Sequence, residues 1–325
     1  MNAVNRTRRW PGKSSYSMKH QPVMANRVVK LLSGCPDGVF VDATVGAGGH
    51  LIEVYRAHGN RFKYIGFDLD GLALKQAKHN ITKIGLEAEL TKSNFTEIAD
   101  HLQKRKISSI SAVLYDLGIG SFQIDNPNRG FSYLGDGPLS MSFDDDEKLV
   151  AANLIDSLDE NDLTRLFKSF GQERKARSLS KAIKKYPDKI TTTGQLAQII
   201  RSTVGGRSFV KTAARIFQAV RIKVNDEFEN IRKSLEAVLP YLVPGGVAMV
   251  ITYHSLEDGH VKRIFKKFSG KCVCPPGMPE CRCGKQKLVR LVYSKPVKPD
   301  PEEIAINSRA RSAKLRVVEK IETAS

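Results

Sequence analysis

Val39–Gly59, "VFVDATVGAGGHLIEVYRAHG", runs from an apolar stretch through a glycine-rich turn into a helix-like segment. A strand, a tight turn and a helix in that order cradle a nucleotide-like ligand in doubly wound α/β folds. Three ligands compete for such a turn. A Walker loop ends in Gly-Lys-Ser/Thr to hold phosphate and magnesium, and Gly46-Ala47-Gly48-Gly49 has no such ending. The dinucleotide fingerprint asks for a third glycine where this chain has Leu51. Two acids tip the reading. Asp42 closes the first strand, and Asp68 closes the next, roughly 20 residues past the glycine turn, where an acid accepts hydrogen bonds from a ribose diol. An acid as close as Asp42 attracts an ammonium and repels a pyrophosphate. S-adenosylmethionine has an ammonium, a sulfonium and no phosphate, so it is the cofactor expected. The plainer readings are a ligand-free packing turn for Gly48-Gly49 and solvated strand-end acids for Asp68 and Asp70.

Outward from this unit the pattern repeats. "FKYIGFDLD" (Phe62–Asp70), "AELTKSNF" and "ISAVLYDLGIGS" read as strands, with helices near His50–Ala57 and Leu72–His79. Alternation of this kind predicts a parallel sheet covered on both faces. It stops at about Asn126, and residues 126–214 are helix-like and basic with no convincing strand. It resumes with "ARIFQAVRIKVNDEFENIRKSLEAVLPYL". "VPGG" (Val243–Gly246) is expected to stop that helix before the strand "VAMVITYH", and "KLVRLVYS" and "AKLRVVEKI" are expected as the last strands. The predicted architecture is α/β, a doubly wound, mostly parallel sheet. Its core spans residues 18–125 and 215–325, a helical insertion spans 126–214, and a basic extension spans 1–17.

The chain has 325 residues and a formal net charge of +18. The excess is concentrated. Between Arg165 and Arg215, 13 Lys/Arg face two acids, and from His260 onward 16 face six. Two such regions suit a polyanionic partner, with nucleic acid first, better than a uniformly basic composition. Asp144–Glu147 reads as a solvated acidic loop or helix start. No apolar run is long enough to cross a bilayer, so no membrane partner is expected. Five cysteines in a chain of this size do not make a disulfide scaffold, which favours a reducing, cytoplasmic setting. The N-terminus lacks an apolar secretory core, and its first acid is Asp37. A disordered basic extension is preferred there over an organellar transit peptide.

Asp116 ends the fourth strand at the crevice where ligands bind in such sheets, a candidate for the adenine edge or for the methyl acceptor, with Gln123 close behind it as a further polar contact. At this point the chain resembles the ribosomal RNA small subunit methyltransferase H family, the cytosine-N4 methyltransferases of the bacterial small ribosomal subunit. The likeness runs from His20 to about Val318. It rests, in order, on "HQPVM" (His20–Met24), "DATVGAGGH" (Asp42–His50), "DLGIGSFQID" (Asp116–Asp125), "RGFSY" (Arg129–Tyr133), "FGQERKA" (Phe170–Ala176), "RIFQAVRIKVNDE" (Arg215–Glu227), "HSLED" (His254–Asp258) and "NSRARSAKLR" (Asn307–Arg316). The resemblance implies a class I, Rossmann-like methyltransferase fold dependent on S-adenosylmethionine. It places the cofactor against Gly48, Gly49, His50, Asp68, Phe95, Asp116 and Gln123, to which the reading of the loop itself adds Asp42 and Gly46. The implied substrate is one cytidine in the decoding region of 16S ribosomal RNA, and a homodimer is common in the family. Three stretches depart from the family pattern: Gly120-Ser121 for Ser-Ser, Ser140-Met141-Ser142-Phe143-Asp144 for Asp-Met-Arg-Met-Asp, and Gly259 for Arg. They spare the cofactor loop and fall on the substrate side.

The cytosine amine is a weak nucleophile because its lone pair is delocalised into the ring. Catalysis therefore needs orientation and acceptors for its N–H groups more than a strong base. Asp116 is expected to orient it, with Ser121 alongside and His254 closing the far side. A base reached this way leaves the RNA stack, so an aromatic wall is expected from Phe122, Phe131 and Tyr133. Plainer roles exist: a strand-end histidine for His254, packing for Phe131 and Tyr133, surface charge for Arg309 and Arg311. The cysteines Cys272, Cys274, Cys281 and Cys283 are spaced C-x-C-x6-C-x-C, open to a tetrahedral zinc site or to a rigid Pro-rich loop with free thiols. The loop is preferred, no metal is assigned, and the resemblance requires none. An inactive RNA-binding assembly factor and a nicotinamide oxidoreductase are the alternative functions. A DNA amino-methyltransferase is a variant of the first reading, opposed by Leu117-Gly118-Ile119 where a Pro-Pro-aromatic motif is usual.

Overall fold

The computed structural model describes residues 22–148, 150–278 and 280–322. The extension expected over residues 1–17, with His20 and Gln21 of the first matching stretch, lies outside the described residues. The first half alternates as expected: α1 (Ala25–Leu32), β1 (Gly38–Asp42), α2 (Gly49–His58), β2 (Phe62–Asp68), α3 (Gly71–Thr82), β3 (Ala88–Lys92), α4 (Ile98–Lys104), β4 (Ile110–Asp116) and a short α5 (Ser121–Asp125). Five helices follow without an intervening strand: α6 (Val150–Ser157), α7 (Glu160–Ser169), α8 (Ala176–Lys184), α9 (Thr193–Val204) and α10 (Gly206–Val224). Then come α11 (Glu227–Val238), β5 (Leu242–Thr252), α12 (Ser255–Phe268), β6 (Val289–Leu291), α13 (Pro301–Ile306) and β7 (Lys314–Lys320).

The seven strands form one sheet in the order β3-β2-β1-β4-β5-β7-β6. β1 to β5 are parallel, and β7 runs antiparallel to both β5 and β6. This is the doubly wound, mostly parallel sheet that the alternation predicts. β1 lies between β2 and β4, so the chain winds outward in both directions from it and the loops after β1 and β4 part at the carboxyl edge. The crevice they leave is where such sheets bind ligands. Apolar clusters cover both faces. One joins Phe67, Val113 and Tyr115 to Leu235 and Phe265, and the other joins Phe40, Leu51, Leu114 and Met249 to Val28. Strands buried on both faces read as continuous apolar runs, which is why β4 and β5 are legible as strands.

The helices from α6 to α10 close around a separate core that includes Leu163, Phe167, Leu196, Ile200 and Ile216. α10 runs through the expected boundary at residue 214, and Phe217 and Val220 still belong to that core. An amphipathic helix with an unbroken apolar face carries no mark in its sequence where one core gives way to another. The acidic Asp144–Asp146 stretch is not simply solvated: all three carboxylates lie within 3.3 Å of Lys92 Nζ at the end of β3.

One boundary differs from expectation. Val243–Gly246 does not stop the helix but lies inside β5. Ile110 pairs with Leu242 and Ala112 with Val247, so the Val-Pro-Gly-Gly stretch bulges out of the ladder. Pro244 brings no N–H to a ladder bond, and Gly245 takes a φ of 79° that favours glycine. The helix itself ends at Val238, five residues before Val243.

Candidate functional site

The turn after β1 is built around Asp68. Its Oδ2 accepts from Gly46 N at 2.8 Å and its Oδ1 from Asp70 N at 2.9 Å, tying the ends of β1 and β2 together. Gly48, at φ 86°, caps α2 in the left-handed region, and an added Cβ would stand 3.3 Å from Ile81. Glycine there allows both the turn and the close approach of α3. Asn80 Nδ2 fixes the loop from below by donating to the Ala47 carbonyl at 3.0 Å.

Asp42 is wholly buried at the mouth of this turn. Its Oδ1 accepts from Thr44 N at 3.1 Å, whereas Oδ2 has no hydrogen-bond partner among the described residues. Burial pushes the carboxyl up to about 7, against the pull of His50 and the Thr44 amide. Asp68 is likewise raised by burial, to about 6. A buried carboxylate oxygen without a partner is costly unless a cation or donor arrives. Two acids lifted by burial beside a glycine turn therefore form a site prepared for positive charge. The ammonium and sulfonium of S-adenosylmethionine fit that requirement, and a pyrophosphate does not.

Asp116 closes β4 across the crevice. Its backbone N–H donates to Thr44 Oγ1 at 2.8 Å, which joins the two loops. Oδ1 accepts from the Tyr253 hydroxyl at 2.7 Å, and Oδ2 stands 3.4 Å from His50 Nε2, an ion-pair distance without hydrogen-bond alignment. Burial alone would lower His50, but Asp116 and Asp42 outweigh it and leave the imidazole above its ordinary value. Burial and the Asp116 charge push the Tyr253 phenol well above its ordinary value, so it remains a donor. Tyr253 sits two residues past Ile251, the β5 partner of Asp116 in register. The sequence reading missed it because His254 next door is the more conspicuous residue. The available signal is its place at the carboxyl end of a strand adjoining β4.

The remaining expected site residues fall nearby, in different surroundings. Gln123 is buried, donating to Asp70 Oδ2 at 3.0 Å and accepting from Gly120 N at 3.0 Å. Asp70 caps α3 and also holds Arg129, whose Nη2 donates to the Ser142 and Phe143 carbonyls at 3.0 and 2.9 Å. Phe95 packs edge-on against Tyr115, with centroids 5.7 Å apart, at the end of β3. His254 is engaged with α12. It caps α12, its Nδ1 accepting from Glu257 N, and its Nε2 lies 2.9 Å from Glu257 Oε1 beside the buried Arg221–Glu227 pair. The Ser121 and Phe122 side chains lie outside the described residues. Phe131 stacks on Phe143, and Tyr133 packs edge-on against Phe209 and Phe217, so both rings belong to the helical core. Arg309 pairs with Asp125 at 3.3 Å, and Arg311 is exposed.

At three of the positions that depart from the family pattern, the contacts are local. Ser140 Oγ donates to the Glu147 carbonyl and Ser142 Oγ to the Glu147 carboxylate, while Gly259 faces open space on α12. Arg174, Lys175, Arg177, Lys181 and Lys185 stand exposed on or beside α8. Among the described residues no helix is long and apolar enough to cross a membrane.

Comparison with known proteins follows the same lines. A family model described as the MraW methylase family matches residues 17–321. A protein of Carboxydothermus hydrogenoformans named ribosomal RNA small subunit methyltransferase H is 40% identical over 306 residues, covering 93% of this chain and 98% of that one. Proteins with the same name from Clostridium botulinum and Halothermothrix orenii are 39% and 38% identical, each matched over 99% of its length and over 93% and 94% of this chain.

Proposed function

We propose that this chain, which belongs to the MraW methylase family, transfers the methyl group of S-adenosylmethionine to the exocyclic amine of one cytidine in the decoding region of 16S ribosomal RNA. The observation that carries the proposal is the convergence of Asp116, Tyr253 and His50 on the crevice beside the Gly46–Gly49 turn. Relatives matched over nearly their full length bear the small subunit methyltransferase name and support the ribosomal RNA substrate.

In this reading Asp42, the Gly46–Gly49 turn and His50 hold the amino-acid end of the cofactor. Asp68 accepts Gly46 N and Asp70 N on separate oxygens, and carboxylate oxygens with further lone pairs have acceptor capacity for a ribose diol. Phe95 and Gln123 border the remainder. When bound, the cofactor supplies an electrophilic methyl on a cationic sulfur. Asp116 accepts a hydrogen bond from the cytosine amine, which localises the nitrogen lone pair for in-line attack. Tyr253 and His50 restrict the carboxylate to one orientation. As the N–C bond forms at the amine, the sulfur–methyl bond breaks and leaves a neutral thioether, and the nitrogen, now acidic, releases a proton to Asp116 or to water. Ser121, beside Gly120 in the chain, and His254, at the cap of α12, are the further residues assigned to catalysis in this proposal. The exposed lysines and arginines of α8 provide a face for the RNA backbone.

The test supplies methyl-labelled S-adenosylmethionine together with small ribosomal subunits, or naked 16S RNA, from a strain lacking the modification. Nucleosides are then resolved by mass. N4-methylcytidine at one site supports the proposal, and label on carbon 5, on another base or on no RNA refutes it.

A further inference from the structure

α12 ends at Phe268, and the chain returns to the sheet at Val289. Between them it forms a loop closed at its base by Gly270 N to the Gln286 carbonyl (2.8 Å), Gln286 N to the Lys267 carbonyl (3.0 Å) and Leu288 N to the Phe268 carbonyl (2.9 Å). Above that base no described residue from Lys271 to Lys287 is buried, and Met278 is 41% exposed. Loops longer than about 12–15 residues without secondary structure are uncommon in compact domains. This one has no apolar core to offset the entropy of ordering it.

Four sulfurs stand where such a core would be. One Sγ each from Cys272, Cys274, Cys281 and Cys283 lies within 4.8 Å of all the others, and the Cys281 and Cys283 sulfurs are 3.4 Å apart. A disulfide requires about 2.05 Å, so these are not bonded pairs. A tetrahedral ion with metal–sulfur distances of about 2.3 Å sets its thiolates roughly 3.8 Å apart, close to the spacing seen. Each C-x-C step is followed by a left-handed glycine, Gly277 at φ 85° after Cys274-Pro-Pro and Gly284 at φ 60° directly after Cys283. These turns bring the two steps to face each other. Arg282 N donates to Cys274 Sγ at 3.4 Å, the kind of amide-to-sulfur bond that orients metal thiolates. Four thiolates around a divalent ion leave a net charge of −2, and Lys271, Arg282 and Lys285 lie in the same loop.

We propose that Cys272, Cys274, Cys281 and Cys283 bind a single zinc ion in a closed tetrathiolate site that orders the loop between α12 and β6. Spacing alone left zinc and free thiols both open; the convergence of the sulfurs favours zinc. A site with four protein ligands has no open position, so its role is structural.

The test uses the full chain, untagged and purified without chelator, with metal content measured by plasma mass spectrometry. About one zinc per chain is expected, falling below about a tenth in a Cys272→Ser/Cys281→Ser variant. Circular dichroism should show the variant's core still folded, because none of the four cysteines is buried. Wild-type protein stripped of metal and loaded with Co²⁺ should show the intense thiolate charge-transfer and tetrahedral bands of a four-sulfur site. One iron per chain with a tetrathiolate spectrum would sustain the site and change only the ion. No bound metal and no thiolate–cobalt bands, or zinc retained by the variant, would overturn the proposal.

Discussion

The Tyr253 hydroxyl donates to Asp116 Oδ1 at 2.7 Å, joining the carboxyl ends of β4 and β5 at the mouth of the crevice. Tyr253→Phe removes this donor while leaving the ring in place. A hydrogen bond to a charged group contributes about 1.5–3 kcal/mol, so methyl transfer should slow by roughly ten- to a hundredfold. Cofactor affinity should stay within about twofold, because Tyr253 holds the acceptor side. Equal losses in cofactor binding and turnover would show that the pair shapes the whole pocket.

Gly118 reports on the same pair from the other side. A Cβ there would stand 2.9 Å from Tyr253 Cδ2, so Gly118→Ala must displace the ring. The expected cost is about 1–3 kcal/mol of stability together with slower turnover. Combined with Tyr253→Phe, the loss in turnover should fall short of the product of the single effects, since both act through Asp116. Fully multiplicative losses would separate Gly118 from the Asp116 contact.

Asp42 gives a pH signature. Its carboxyl is raised by burial from 3.8 to about 7 in the folded chain, so the folded state holds a proton that the unfolded state releases. That contribution to stability is complete below about pH 4 and is lost as pH rises through about 7. Relative to Asp42→Asn, the cofactor-free protein should lose about 2–3 kcal/mol between pH 5 and pH 7.5. Cofactor affinity should rise over the same interval, because a cation favours the ionised acid. Denaturant melts and calorimetric titrations at the two pH values measure both. A pH-independent difference between the proteins would contradict the assignment.

Arg129 clamps the start of the helical region to the core through Asp70 and the Ser142 and Phe143 carbonyls. Arg129→Ala leaves the wholly buried Asp70 without its counter-charge, at an expected cost of about 3–5 kcal/mol. Arg129→Lys should recover only part of this, since an ammonium cannot span the carboxylate and two carbonyls in one plane. Chemical denaturation measures both. Full recovery by lysine would show that charge alone matters.

The Asp42–Asp68 half of the candidate site is legible in sequence because its signals are local. Asp42, Gly46–Gly49 and Asp68 each close or follow an apolar run, and strand ends meet at the crevice of a doubly wound sheet. The Asp116–Tyr253 contact spans 137 residues and depends on β5 lying beside β4, which no local pattern encodes. His254, more conspicuous in sequence, caps α12 instead. Val-Pro-Gly-Gly reads as a helix stop by composition yet serves as a bulge in β5, because a bulge and a turn call for the same residues. The sulfur cluster lies between these cases: spacing left zinc and free thiols both open, and only the fold shows the four sulfurs converging.

Asp116 is the residue on which the catalytic account depends, and a single-turnover comparison of wild type with Asp116→Asn on small ribosomal subunits addresses it most directly. Cofactor affinity is measured in parallel for both proteins. The transfer rate of the variant is expected to fall at least about a hundredfold, with cofactor and RNA binding held within a few-fold. Transfer by Asp116→Asn at the wild-type rate, or a loss explained entirely by weaker cofactor binding, would contradict it.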